Sequence, residues 1–307
     1  MSIELKDVNE EIIPVLTQSL GCMQTGDCNL SIFSIVGRSE QYKIKYAIIN
    51  DHLVLYFQPY KEAPEAWVLP RECCQNTALV KEVEAYCAEI NRPVVIYGRF
   101  SEITCNVESK LHYRNFLTIS SNSWWDYLYE KEKFVKLEGR KLHGKRNFIK
   151  RFWAAHPNAQ FVPINEENIP QCREFLAKWY EDYGDISEDL RFEAQAIEKC
   201  FNHWSQFQVS GGMLIDGEQV LGFTFGSMVS EDIFAVHIEK ADRTVTGAYP
   251  ALAQQLAISL PETVKFLNRE EDLGIAGLRK AKQDWYPSGV VRKTYLKLEK
   301  EKEFGSK

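Results

Sequence analysis

Two stretches of the chain alternate apolar and polar side chains around a short polar break. YKIKYAII (42–49) and HLVLYF (52–57) flank Asn50-Asp51, and GGMLIDGEQVLGFTFG (211–226) folds about Asp216-Gly217. Period-two alternation interrupted by such a pair predicts a β-hairpin at each place. Helical spacing takes over at 76–90, where Leu79, Val83, Tyr86 and Ile90 share a face. Asn91 and Pro93 stop that helix, and VVIYGRF (94–100) reads as a buried strand. Further on, the pattern predicts helices over 167–183, 187–204, 247–260 and 274–286, with strands over 232–240, 264–271 and 290–298. Pro250 falls in the first turn of the third of these helices, where a missing N–H costs nothing. Each hairpin is thus followed by helix and strand. The expected fold is α+β, built from two copies of one unit.

The polar cluster SSNSWWDYLY (120–129) is the natural boundary, dividing the chain into 1–122 and 123–307. A length of 307 residues agrees with two cores of ordinary size. No apolar run approaches the roughly 20 residues that a membrane span requires, and YAIINDHLVLYF is broken by Asn50, Asp51 and His52. The acidic opening MSIELKDVNEEIIP lacks the order of a signal peptide. Eight cysteines are scattered without a Cys-x-x-Cys pair, as expected for thiols in a reducing cytoplasm. None of the six histidines forms a metal-ligand pair, so no metal site is expected.

Charge changes the picture in one place. Lys131 to Arg151 carries nine Lys/Arg and two Glu, +7 locally in a chain whose net charge is −6. On a helix from Leu142 to Trp153, Leu142, Ile149 and Trp153 share one stripe, and Phe148 and Phe152 a neighbouring one. Lys145 falls between the stripes, Arg146 flanks them, and Asn147, Lys150 and Arg151 face solvent. Lys145 and Arg146 are therefore the candidate phosphate ligands, and a solvated helix face is the plainer alternative.

Acids supply the second candidate. Strand alternation places His237 and Glu239 on one face of DIFAVHIEK, with Phe234, Val236 and Ile238 on the other. If the strand over 264–271 is its neighbour, Glu239, Glu270 and Asp272 meet at the strand ends. There a carboxylate can act as general base or hold a substrate ammonium. For Asp272 a helix-capping role is as well supported. The turn into the helix at 247–260 is the third candidate: Gly247, Ala248 and Tyr249 open a helix whose N–H groups suit phosphate or carboxylate. A plain turn capped by Thr246 is the alternative.

These motifs converge. DYLYEKEKFVKLEGRKLHGKRNFIKRF, GFTFG, HIEKADRTVTGAY and FLNREEDLGIAGLRKAK resemble the phosphatidylglycerol lysyltransferase C-terminal domain family, from Cys28 to Leu298. The resemblance implies two tandem GNAT-like (Gcn5-related acetyltransferase) domains, related to Fem-type peptidyltransferases that draw aminoacyl groups from tRNA. It implies an acyl- or aminoacyltransferase with acyl-CoA or aminoacyl-tRNA as donor, bound in a cleft between the halves with a local tRNA contact. On that reading Glu239 or Glu270 takes the acceptor's proton, Gly247–Tyr249 line the donor site, and Lys145 and Arg146 hold donor phosphates. Two departures stand out. The lipid-modifying members carry a large membrane-embedded region that these 307 residues lack. The Q/R-x-x-G-x-G/A loop of CoA-using domains survives here as RTVTGAY, with Gly247 alone. A CoA-dependent N-acetyltransferase of a small amine, and a binding module without turnover, are the competing expectations.

Overall fold

The structure, a computed structural model, describes residues 3–20, 25–70, 77–98, 115–184 and 186–299. Cys22, Cys73, Cys74, Cys105 and the end of the strand expected over 94–100 lie outside the described residues. The chain forms two compact units, residues 1–125 with 291–307, and residues 126–290.

In the first unit, strands β1 (Lys6–Asp7), β2 (Lys45–Ile49), β3 (His52–Phe57), β4 (Ala66–Val68), β5 (Val95–Gly98) and β6 (Asn115–Ile119) share a sheet with β14 (Thr294–Glu299). The spatial order is β1-β2-β3-β4-β5-β14-β6. The first hairpin forms as its pattern requires: Asn50 and Asp51 both take positive φ, 49° and 63°, the geometry that keeps twisted strands in register. Helices α1 (Ile13–Leu20) and α2 (Thr77–Glu89) accompany the sheet. Leu79, Val80, Val83 and Cys87 of α2 pack on Ala47, Val54, Trp67, Ile96 and Leu296.

A second packing region of this unit is polar and sealed. Lys293, with no exposed side-chain surface, donates to the Tyr60 hydroxyl at 2.9 Å and to Cys28 Sγ at 3.3 Å. Its Nζ lies 3.6 Å from Asp27 Oδ1. Tyr97 donates to Asp27 Oδ2 at 2.6 Å, and Asn29 Nδ2 reaches both phenol oxygens at 3.0 and 3.2 Å. Burial, reinforced by the Asp27 charge and opposed by Lys293, holds the Tyr97 phenol well above its ordinary range.

The second unit holds β7 (Asp126–Glu130), β8 (Gln160–Pro163), β9 (Ser210–Asp216), β10 (Gln219–Met228), β11 (Ile233–Ala241), β12 (Phe266–Asn268) and β13 (Gly289–Val291), ordered β13-β7-β12-β11-β10-β9-β8. Its helices are α3 (Lys131–Lys136), α4 (His143–Ala155), α5 (Ile169–Tyr183), α6 (Glu188–Asn202), α7 (Ala248–Ser259) and α8 (Ala276–Gln283). Leu252, Leu256, Phe134, Phe152, Phe234 and Leu267 form its core on one face of the sheet. Phe175 of α5 and Phe201 of α6 meet Phe223, and Phe201 also meets Phe225, on the other face. Strands β11 and β12 pair in parallel, a union that demands the long α7 crossover.

Two mixed seven-stranded sheets flanked by helices give the α+β tandem arrangement that a doubled GNAT-like fold requires. One expectation is corrected. The segment 290–298 is not one strand of the second half: it divides at Arg292–Lys293 into β13, beside β7, and β14, between β5 and β6. The division into 1–122 and 123–307 therefore places β14 with the wrong sheet. Burying Lys293 against Asp27 and filling the gap between β5 and β6 draw this segment to the first unit.

Candidate active site

The parallel registers of β11 and β12 end at Ala235↔Asn268, while β11 runs on to Ala241. The candidate acids lie around this divergence, but they do not form one cluster.

A bulge explains why. Phe225 pairs with Ile238 and Gly226 with Val236, so His237 is the extra residue of β11. The extra residue inverts the alternation. Ala241 faces the α7 core, and below the bulge Val236 and Phe234 take that face in turn. The expectation that His237 and Glu239 share a face, with Val236 and Ile238 together on the other, is thereby overturned. No periodicity rule signals a bulge in advance. Gly226 permits it, because a Cβ there would sit 1.8 Å from the Ala235 carbonyl oxygen.

On the α7 face, Glu239 accepts from Arg269 Nη2 at 2.7 Å. The Arg269 guanidinium lies 5.7 Å from the ring centres of both Phe134 and Trp285, which stack at 4.3 Å. Lys145 places its ammonium 4.9 Å above Trp285. Burial holds that ammonium below its ordinary range, with Asp284 opposing and Arg269 adding to the depression. An aromatic floor thus carries two cations beside one acid. Tyr249 approaches the same acid. Its phenol is raised first by burial, and Glu239 adds to that, while the Ala241 backbone and Trp179 oppose it.

On the other face, His237 Nδ1 meets Glu270 Oε1 at 2.9 Å, and its Nε2 meets Ser227 Oγ at 2.8 Å. Glu270 stands in the left-handed region, φ 58°, a conformation that disfavours any side chain with a Cβ. It is held there from both sides. Its N–H donates to Asn268 Oδ1 at 2.7 Å, and its carbonyl accepts from Tyr127 N–H at 3.1 Å. The fully buried Asn268 is fixed in turn by Asp126 Oδ2 at 2.8 Å. Lys282 donates to the Arg269 carbonyl, pinning the same loop from α8. Burial lowers its ammonium, with Glu271 and Glu270 opposing.

Asp272 is engaged in holding the loop. It accepts from Tyr127 Oη at 2.7 Å, Arg279 Nε at 2.8 Å, Arg279 Nη2 at 3.0 Å and Gly274 N–H at 2.8 Å. Burial acts to raise its carboxyl, but the Arg279, Tyr127 and Gly274 bonds outweigh it and hold the group below its ordinary 3.8.

The remaining candidates also divide. Arg146 donates to the Leu137 and Gly139 carbonyls, closing the turn after α3. Lys150 and Arg151 are exposed, and Leu142, Ile149 and Phe152 are buried, as the helical pattern requires; Phe148 is exposed. Gly247 caps α7 with φ 86°, and a Cβ there would lie 2.2 Å from the Phe148 carbonyl oxygen. This glycine serves close packing of α4 on α7. Ala248 is wholly buried. The helix has no side-chain cap, so Thr246 does not play that part. Sequence reasoning missed Arg269 and Ser227. Arg269 sits inside the motif NREED and could have been paired with Glu239 by strand adjacency. Ser227 immediately follows GFTFG and carries no signal of its own.

The chain resembles several known proteins. An uncharacterized protein of Mycoplasmoides gallisepticum is 24% identical over 176 residues, 56% of each chain, so the match spans about half the length of that curated relative. A conserved protein of unknown function from Bacteroides thetaiotaomicron has a similar structure, with TM-score 0.83 and 27% identity over 97% of this chain and 100% of its own. L-PGS from Bacillus licheniformis shares the fold at TM-score 0.61 and 12% identity, covering 97% of this chain and 94% of that one. The family described as phosphatidylglycerol lysyltransferase, C-terminal, matches residues 23–296. The chain belongs to that family.

Proposed function

We propose that the chain is a cytoplasmic acyl- or aminoacyltransferase, moving the acyl group of a carrier-bound ester or thioester to an amine or hydroxyl. Family and fold support the transferase class. The observation that carries the reading is Glu270, held in a strained backbone conformation where β11 continues past β12, with its carboxylate on His237. Glu270 is the general base. It takes the proton of the acceptor as that nitrogen or oxygen attacks the donor carbonyl, and returns that proton to the carrier oxygen or sulfur as its bond to the acyl carbon breaks. Lys145 and Arg269, on the aromatic floor, suit donor phosphates.

Of the two carriers, aminoacyl-tRNA is favoured. A CoA pyrophosphate needs a loop of bare amides, and Gly247 is packed against the Phe148 carbonyl instead. No helix among the described residues is long and apolar enough to cross a membrane, which favours an acceptor met outside the bilayer. The test presents aminoacyl-tRNA and acyl-CoA separately to the full chain, with a panel of amines and hydroxyls. Transfer from aminoacyl-tRNA is expected, and Glu270→Gln should lower kcat by about 10²- to 10³-fold. Full turnover in Glu270→Gln would remove Glu270 as the base. Transfer from acyl-CoA alone would reverse the choice of carrier.

A further inference from the structure

Ser227, His237 and Glu270 form a hydrogen-bonded line across β10, β11 and the loop that follows β12, and two local irregularities, a bulge and a left-handed residue, are needed to make it. Gly226 allows the bulge, the bulge re-aims His237, and the left-handed φ of Glu270 brings its carboxylate to the ring. Irregularities of this kind cost stability and persist only where neighbours over-determine them. We propose that Ser227 and His237 are positioning residues that fix the orientation of the Glu270 carboxylate. For its catalytic consequence this rests on the acyl-transfer reading of the same site.

The protons follow from the partners. An ionised carboxylate only accepts, so the proton between His237 and Glu270 sits on Nδ1. Ser227 is buried, and its Oγ has no other hydrogen bond among the described residues, so its hydroxyl hydrogen goes to Nε2. This arrangement is the Nδ1–H tautomer, with Nε2 as acceptor. Ser227 donates to His237, His237 donates to Glu270, and the chain of donors ends on the carboxylate. Glu270 keeps 18% of its side-chain surface exposed and His237 none, so the carboxylate is the member that meets an acceptor. Nothing in the line is a nucleophile: Ser227 lies at the closed end, two strands from β12.

The experiment reads the tautomer directly. Full-length protein labelled with 15N-histidine, with the His237 signals assigned by their loss in His237→Gln, should show a protonated Nδ1 and a bare Nε2. Ser227→Ala removes the donor to Nε2, so the Nε2 signal should move while Nδ1 stays protonated against Glu270. Ser227→Thr, which keeps the hydroxyl, should restore that signal. With whichever carrier proves to be the donor, Ser227→Ala should lower kcat about tenfold at unchanged KM, and Ser227→Thr should recover it. A native ring protonated on Nε2 would overturn the proposal, as would a Ser227→Ala protein with an unaltered His237 spectrum. The native spectrum decides even if Ser227→Ala does not fold. If no donor is turned over but the Nε2 signal depends on Ser227 as expected, the acyl-transfer reading fails alone. If transfer proceeds at full rate in Ser227→Ala, the positioning role fails alone.

Discussion

The two units each gather opposite charges among aromatic rings, with opposite results. In the first, Lys293, Asp27, Tyr60, Tyr97 and Asn29 satisfy one another, and the lysine and aspartate are almost wholly removed from solvent. In the second, Glu239 and Glu270 keep 14% and 18% of their side-chain surface, and the backbone around them departs from regular geometry. Both arrangements are costly to desolvate. The sealed one returns that cost as packing and pairing, so its loss should be felt in stability. The open one retains reach toward a ligand, so its loss should be felt in turnover. Burial of the charge, more than its presence, separates a structural cluster from a chemical one.

That contrast can be broken by substitution. Lys293→Met strands a buried carboxylate and should cost about 4 kcal/mol in denaturant unfolding, with Asp27→Asn in the same chain recovering much of it. A single-substitution loss below about 1 kcal/mol would mean the first cluster is not sealed. Glu270→Gln should show the reverse signature, the large kcat loss given above with a nearly unchanged Tm. An equal fall in both would erase the distinction. Gly247→Ala forces a Cβ onto the Phe148 carbonyl at a left-handed residue and should cost about 2–3 kcal/mol, read by the unfolding midpoint.

Smaller effects sharpen the boundary within the site. Asp272→Asn should destabilise by about 2 kcal/mol at neutral pH, since charged hydrogen bonds to the loop are weakened. The folded carboxyl is depressed, so its stabilisation is complete above the unfolded value. It is lost as pH falls through the folded value. Asp272→Asn should flatten that acid limb of the stability curve; an unchanged limb would deny the carboxylate its part. Lys145→Met should weaken donor binding only several-fold and reduce the slope of log K against log salt by about one. An unchanged slope would place Lys145 outside the phosphate path.

Much of this was legible in the chain. Both hairpins, the helix at 76–90 and the helices from 167 onward follow from periodicity, and α2, α5, α6 and α7 match those expectations within a few residues. So does the neighbour relation of 232–240 and 264–271. What eluded the pattern was local and non-local at once. The bulge at His237 depends on Gly226 in another strand, and the φ of Glu270 depends on Asn268 and Tyr127. The partition of Glu239 with Arg269 from Glu270 with His237 then follows. The strand-like segment VVRKTYLKL (290–298) could not reveal that a buried lysine divides it between two sheets. Arg146 looked like an anion ligand because its carbonyl partners lie in a turn that no composition rule predicts.

Strand β14 has a consequence for the order of events in making the protein. It sits between β5 and β6, yet its residues are translated after the whole of 126–290. At roughly 5–20 residues per second, the first sheet waits on the order of ten seconds or more for its missing member. During that interval β5 and β6 offer unpaired backbone edges, the templates on which nascent chains mispair. The half that is translated first is therefore completed last. A released chain that stopped before residue 294 would have every strand of the second sheet and lack one strand of the first.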